Sequence, residues 1–153
     1  MSFAKRLLPL IGLVSALFFT PGVQADNMIM ARTSQTFPEA MAELQALIKE
    51  KGYIVSRVQR VDIGLTSSGY KTDKYRVVFY GKPEENRKLS RLHPELTAYL
   101  PLKISIFAED QDTILVTTNP QHLSKAGSDE LAKALAQWEK DLTEIFRRMR
   151  EGG

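Results

Sequence analysis

A single apolar stripe near the C-terminus limits what this chain can fold into. Its members recur at alternating steps of four and three, the spacing of one helix face: Leu131, Leu135, Trp138, Leu142, Ile145 and Met149. Ser128 is a suitable N-cap, and Asp129 and Glu130 suit the positive end of a helix dipole. We therefore predict a helix over about residues 128–150 that must bury one face.

The partner of this stripe decides the architecture. The stripe covers fewer than three heptads, which is shorter than a coiled coil requires. We therefore predict that it packs on a sheet of the same chain, with four residues buried there: Leu135, Trp138, Leu142 and Ile145. A homodimer in which the stripe meets its copy in a second chain is the alternative.

The chain before this helix supplies the sheet and one more helix. Segments that alternate, or that are rich in β-branched residues, predict strands; they are residues 26–35, 53–61, 75–80, 102–108 and 113–118. Thr36 begins a helix, because Glu39 three residues later completes a capping box, and Gly52 suits its C-terminal end. Residues 63–73 predict a loop, and residues 84–99 predict short helical turns. The element order is β-α-β-β-β-β-α, which defines an α+β fold.

The first 25 residues have the composition of a secretory signal peptide. Lys5 and Arg6 precede an apolar run over residues 7–19, and Thr20-Pro21-Gly22 then leads to small residues ending at Ala25. The run is shorter than the ~20 residues that span a bilayer. We predict cleavage before Asp26, a single domain over residues 26–153 and a periplasmic location. An uncleaved leader that tethers the domain to the inner membrane is the alternative.

Charge and cysteine content exclude several classes of function. Removal of Lys5 and Arg6 leaves 19 basic against 18 acidic residues, and no charge run is long enough to predict nucleic-acid binding. The chain has no cysteine. Disulfides, thiol redox chemistry, cysteine-bound metals and a lipidated N-terminal cysteine are therefore excluded.

Short motifs in a fixed order resemble a known family. They are Phe37, Gly52-Tyr53, Phe79-Tyr80-Gly81-Lys82-Pro83, Pro94, Leu100-Pro101-Leu102-Lys103-Ile104 and Asn119-Pro120. Their order and spacing over about residues 32–124 resemble the family called domain of unknown function 302. The resemblance implies a fold similar to half of the TATA-binding protein, with a curved antiparallel sheet and helices on one face. It implies no catalytic residue, and nucleic-acid binding does not follow from the shape.

Five residues coincide with the motifs of that family and are the predicted ligand-binding residues: Tyr80, Lys82, Pro83, Pro101 and Lys103. Lys82 and Lys103 together are one candidate for holding an anionic group, and solvated strand ends are the alternative. A pocket lined by tyrosines is a second candidate, because tyrosine offers an apolar face and a hydroxyl; its residues are Tyr53, Tyr70, Tyr75, Tyr80 and Tyr99.

No catalytic or metal-binding constellation is recognisable. His93 and His122 are far apart and lack helical spacing, and Glu109, Asp110 and Asp112 are typical of a hairpin turn. We therefore predict no metal, no cofactor and no catalytic residue. The expected function is a non-enzymatic, exported module that binds a small molecule or a protein. An enzyme, or a redox or metal accessory protein of the cell envelope, is the alternative.

Overall fold

The computed structural model describes residues 27–123 and 128–152. The predicted signal peptide and its cleavage site before Asp26 lie outside the described residues. Within the described part, no helix is long and apolar enough to span a membrane.

Five antiparallel strands form one sheet in the spatial order β1-β5-β4-β3-β2. Their bounds are β1 Met28–Thr33, β2 Ile54–Arg60, β3 Tyr75–Gly81, β4 Leu102–Glu109 and β5 Asp112–Thr118. The helices are α1 Phe37–Glu50, α2 Val61–Ser67, α3 Pro83–Leu92 and α4 Asp129–Glu151, with 3-10 turns at Pro94–Ala98 and Pro120–His122. The predicted α+β class and the order of strands and long helices are confirmed.

The loop prediction for residues 63–73 misses a short helix. Helix α2 begins at Val61, and the hydroxyls of Ser67 and Ser68 donate to the carbonyl of Gly64 (2.9 and 3.0 Å). Asp62 in its first turn forms an ion pair with Arg76 of β3. The glycines and serines of this segment by themselves predict a loop. The contact with Arg76 joins two separate elements, so the local sequence gives no sign of it.

Helices α1, α3 and α4 share one core with one face of the sheet. Strand β4 shows the division clearly: Leu102, Ile104 and Ile106 are buried in that core, whereas Lys103 is exposed. Along a strand, successive side chains point to opposite faces, so the alternation identifies which face the helices cover.

The C-terminal stripe packs as predicted. Leu135, Trp138, Leu142 and Ile145 are each at most 4% exposed and belong to the core cluster of the same chain. At the start of α4, the hydroxyl of Ser128 accepts a hydrogen bond from the amide of Leu131 (3.3 Å). The intramolecular packing of this helix is therefore confirmed.

The predicted ends of the first helix are also correct. The carboxylate of Glu39 accepts hydrogen bonds from the amide and the hydroxyl of Thr36 (3.1 and 2.7 Å), which lower the pKa of Glu39. Gly52 follows α1 with φ +79°, a conformation that residues with a Cβ rarely adopt. These local signals position α1 against the sheet.

Candidate functional site

The five residues predicted to bind a ligand all lie where β3 ends and β4 begins. In the sheet register Tyr80 pairs with Leu102, and Lys103 pairs with Phe79. Lys82 directly follows β3, and Pro83 is the first residue of α3. Pro101 precedes β4 after a cis peptide bond and is exposed. The structure therefore brings the backbones of all five residues to one end of the sheet.

Their side chains, however, leave the sheet on opposite faces. Tyr80 is 1% exposed in the core beneath the helices. Lys82 is on the same side, with its Nζ 4.5 Å from the centroid of the Tyr53 ring. Lys103 is exposed and lies on the face that the helices do not cover. Lys82 and Lys103 therefore do not converge on a common anion.

Tyr53 and Tyr80 form a closed cluster with Asp141 of α4. The Tyr53 hydroxyl donates to Asp141 Oδ2 (2.8 Å), and the side-chain Nε2 of Gln137 donates to Asp141 Oδ1 (2.9 Å). The two tyrosine rings meet edge to face at 5.4 Å. All three members are less than 9% exposed. The cluster joins α4 to the sheet, and the contacts of its polar groups are made within the protein.

Burial controls the ionisation of this cluster. Desolvation raises the pKa of Tyr53 well above its usual value, and the hydrogen bond to Asp141 raises it further. Desolvation likewise raises the pKa of Tyr80. The Tyr80 hydroxyl is buried and has no hydrogen-bond partner among the described residues. Both phenols therefore stay protonated at neutral pH, and neither is available as a general base.

The predicted tyrosine pocket is divided among three places. Tyr53 and Tyr80 are in the core, whereas Tyr75 is half-buried on the opposite side of the sheet. Tyr70 and Tyr99 are 66% and 46% exposed. The five rings therefore line no common pocket.

His93 lies beside the hydroxyl of Ser128, which is distant from it in the sequence. Its Nε2 is 3.0 Å from Ser128 Oγ, and its Nδ1 is 3.6 Å from Glu95. The same Ser128 oxygen caps α4, and Asp129 and Glu130 place negative charge in the first turn. At 3.6 Å Glu95 forms no hydrogen bond with Nδ1, so the third, orienting contact of a catalytic triad is missing among the described residues. The arrangement favours helix capping over catalysis.

The side of the sheet opposite the helices, which we call the open face, carries a second group of apolar residues. Among these apolar residues Ile114 is buried, Met28, Met30 and Ile54 are each more than half exposed, and the others are half-buried. By register the open face consists of Met28, Met30, Arg32, Ile54, Arg57, Gln59, Tyr75, Val77, Phe79, Lys103, Ser105, Phe107, Glu109, Asp112, Ile114, Val116 and Thr118. None of these residues belongs to the core cluster. The open face is therefore an apolar surface separate from the core.

Register places most of the half-buried apolar residues of the open face in two adjacent rows, and Phe79 lies in a third row between Arg57 and Lys103. One row runs across the sheet through Val77, Ser105, Val116 and Met30. The next row runs through Tyr75, Phe107, Ile114 and Arg32, where the Tyr75 and Phe107 rings meet edge to face at 5.9 Å. The rows form a continuous band across four of the five strands.

The two ends of the open face carry opposite charge. At the end where β4 begins, Arg57 and Lys103 lie on either side of Phe79, and neither forms an ion pair within the described residues. The other end holds the β4–β5 hairpin with three carboxylates, those of Glu109, Asp110 and Asp112.

Arginines compensate part of the acidic end. Arg32 forms ion pairs with Glu109 and with Asp112, the latter at 2.7 Å. Arg150 reaches the edge strand β1 and donates to the carbonyl of Met30 (3.0 Å). Asp73 and Lys74 also lie beside the hairpin, and their charges offset each other. The three carboxylates of the hairpin therefore still outnumber the two guanidinium groups, so this end keeps a negative excess.

The five most prominent recesses in the described surface are open to solvent. The one on the open face, about 240 Å³, lies at the β1 edge between Met30, Phe107, Ile114 and Arg150. Larger recesses of about 580 and 520 Å³ lie beside α2 and between α3 and α4. Their linings are rich in charged residues and lack the enclosed apolar walls of a small-molecule site.

Sequence reasoning missed both Asp141 and the open face. Asp141 follows Trp138 by three residues and precedes Ile145 by four, the spacing of one helix face, which was a signal that its carboxylate faces the core. In β4, Ile104 and Ile106 share one face, so Phe107 lies on the other face together with Lys103 and Ser105. An aromatic ring therefore lies on the more polar side of this strand. That mismatch with a solvated face was the available signal for the open face.

Comparisons with known proteins agree with one another on the fold. The model of the family described as "Domain of unknown function DUF302" matches residues 30–149, a span that includes most of α4 and so extends past the motifs. A crystal structure of an uncharacterized conserved protein DUF302 from Bacillus stearothermophilus is 20% identical, with a TM-score of 0.73 over 82% of this chain and 100% of that chain. At that identity the likeness shows the fold alone. No curated protein matches the chain.

Proposed function

The chain belongs to the family of domain of unknown function DUF302, and from this premise we propose that it is an exported, non-enzymatic protein-interaction module whose contact surface is the open face. The observation that carries the proposal is the apolar band there, which no described helix covers and which is separate from the core. Soluble domains rarely keep a large contiguous apolar surface without a partner.

The shape of the open face favours a protein over a small molecule. A pocket that encloses a drug-sized ligand has about 300–1,000 Å³ and buries most of the ligand. The recess at the β1 edge is smaller, at about 240 Å³, and is open. A broad band of half-buried side chains instead provides a wide contact area, and a protein interface requires such an area.

The signal-peptide composition of the first 25 residues supports the export part of the proposal. When the full chain is expressed in a bacterial host, we expect the protein in the periplasmic fraction with an N-terminus near Asp26. N-terminal sequencing of the purified protein measures this directly. A cytosolic protein that begins at Met1 or Ser2 would contradict export, and a membrane-bound protein that retains the leader would indicate a tether.

Photo-crosslinking tests the contact surface. Ser105, in the middle of the open face, is replaced by p-benzoylphenylalanine in the full chain. Irradiation of cells should give one adduct of defined mass, because the photoreactive ring lies within the apolar band. The matched control carries the same group at Ala136, which is exposed on α4. Absence of an adduct from Ser105, or an equal adduct from Ala136, would overturn the proposal.

A further inference from the structure

We propose that the open face binds the open face of a second copy of this chain. The inference rests on the proposed function, since it requires this surface to be a protein contact, and it names the partner. Two observations carry it: the opposite charges at the two ends of the surface, and the apolar band between them.

The charge pattern is complementary to itself. Lys103 begins β4 at the basic end, and Glu109 ends the same strand at the acidic end. A surface with basic residues at one end and an acidic excess at the other attracts a copy that is turned end for end, because each basic end then meets an acidic end. A copy in the same orientation would place like charges together.

A two-fold axis that lies in the contact plane and runs across the strands gives this arrangement. Such an isologous contact pairs the same patch of both copies. Each strand then lies over its own copy, so that Lys103 of one copy meets the Glu109 end of β4 in the other. The row of Val77 and Val116 likewise meets the row of Phe107 and Ile114. Apolar side chains therefore meet apolar side chains in a two-sheet sandwich.

The available area suits a weak dimer. Five strands about 4.8 Å apart, each about six residues long at about 3.4 Å per residue, give a footprint of about 480 Å² per copy. Two copies together bury about 1,000 Å², the lower limit for a specific interface. Interfaces of this size are typical of weak, transient contacts, so we expect a dimer that dissociates on dilution.

Charge reversal tests the pairing. The protein recovered from expression of the full chain is studied by sedimentation equilibrium over a range of concentrations. Lys103→Glu places acid over acid in both symmetry-related contacts and should raise the dimer Kd about tenfold. Glu109→Lys places base over base and should weaken the dimer similarly. Lys133→Glu, an exposed change on α4, is the control and should leave the Kd unchanged.

Mixing the two variants gives the decisive measurement. In a mixed dimer, the carboxylate introduced at position 103 of one copy meets the amine introduced at position 109 of the other, and the second contact retains the native pair. An equimolar mixture should therefore form a mixed dimer with the Kd of the native protein. If either variant failed to fold, the mixture would not recover this Kd.

The outcomes separate this inference from the proposed function. A native protein that stays monomeric at all concentrations, or a dimer that Lys103→Glu leaves unchanged, overturns the inference. If the Ser105 adduct then contains a different protein, the open face remains a protein contact. If Ser105 gives no adduct, the proposed function fails as well.

Discussion

Trp138→Ala is expected to destabilise the domain by about 3–5 kcal/mol, the range for removal of a large buried aromatic side chain. Trp138 is 1% exposed at the centre of α4, and its indole Nε1 donates to Glu85 of α3 (3.0 Å). Alanine leaves a cavity and removes the partner of that carboxylate. A domain of this size has about 5–15 kcal/mol of stability in total, so the variant should be marginally folded. Urea unfolding followed by circular dichroism measures the loss.

Two further variants separate packing from hydrogen bonding at this site. Trp138→Phe keeps much of the ring volume and loses the indole donor, so it should cost less than Trp138→Ala. Leu92→Ala removes an apolar side chain that is 54% exposed on α3, and should change stability by about 0.5 kcal/mol or less. A Trp138→Ala variant as stable as Leu92→Ala would contradict the packing of α4 on the sheet.

Stability is also expected to fall steeply above about pH 10. Burial raises the pKa of Tyr53 and Tyr80 in the folded state above the usual value of 10.0. Above pH 10 the unfolded chain releases these protons while the folded chain keeps them, so alkaline pH favours unfolding. The stabilisation is complete below pH 10 and is lost as pH rises. Above pH 10, each of the two tyrosines should lower the free energy of unfolding by up to about 1.4 kcal/mol per pH unit.

Tyr80→Phe isolates one of the two contributions. The free energy of unfolding is measured in urea between pH 8 and 11.5. Its slope against pH should match that of the native protein below pH 10 and be shallower above pH 10, by up to about 1.4 kcal/mol per unit. At neutral pH the substitution should cost little, because the lost hydroxyl has no hydrogen-bond partner among the described residues. Tyr70→Phe, at a residue 66% exposed, is the matched control. Equal slopes for Tyr80→Phe and the native protein above pH 10 would contradict the assignment.

Elements with local signals were predictable from the sequence. The apolar stripe of α4 repeats with the period of a helix, Ser128 and Glu39 mark helix starts, and Gly52 marks a helix end. Each of these signals lies within a few residues of the structure it predicts. Helix α2 was not predictable in this way, since its ion pair between Asp62 and Arg76 joins two elements.

The candidate surface was only partly predictable. The family motifs identified the end of the sheet where Tyr80 and Lys103 lie, but the neighbouring strand determines which face each side chain takes. The opposite charges at the two ends of the open face combine residues from four strands. No single segment of the sequence contains that pattern.

By itself, the sequence determined the five strands, the first and the last helix, and the burial of the C-terminal stripe. Periodicity and capping involve residues within one or two helical turns of each other, so they can be recognised in the linear sequence. Only the tertiary structure decided which apolar residues form the core and which form the open face. It also decided that Asp141 meets Tyr53 and that Lys103 and Lys82 are on opposite faces. These relations depend on strand register and helix packing, which bring together residues that are distant in the chain.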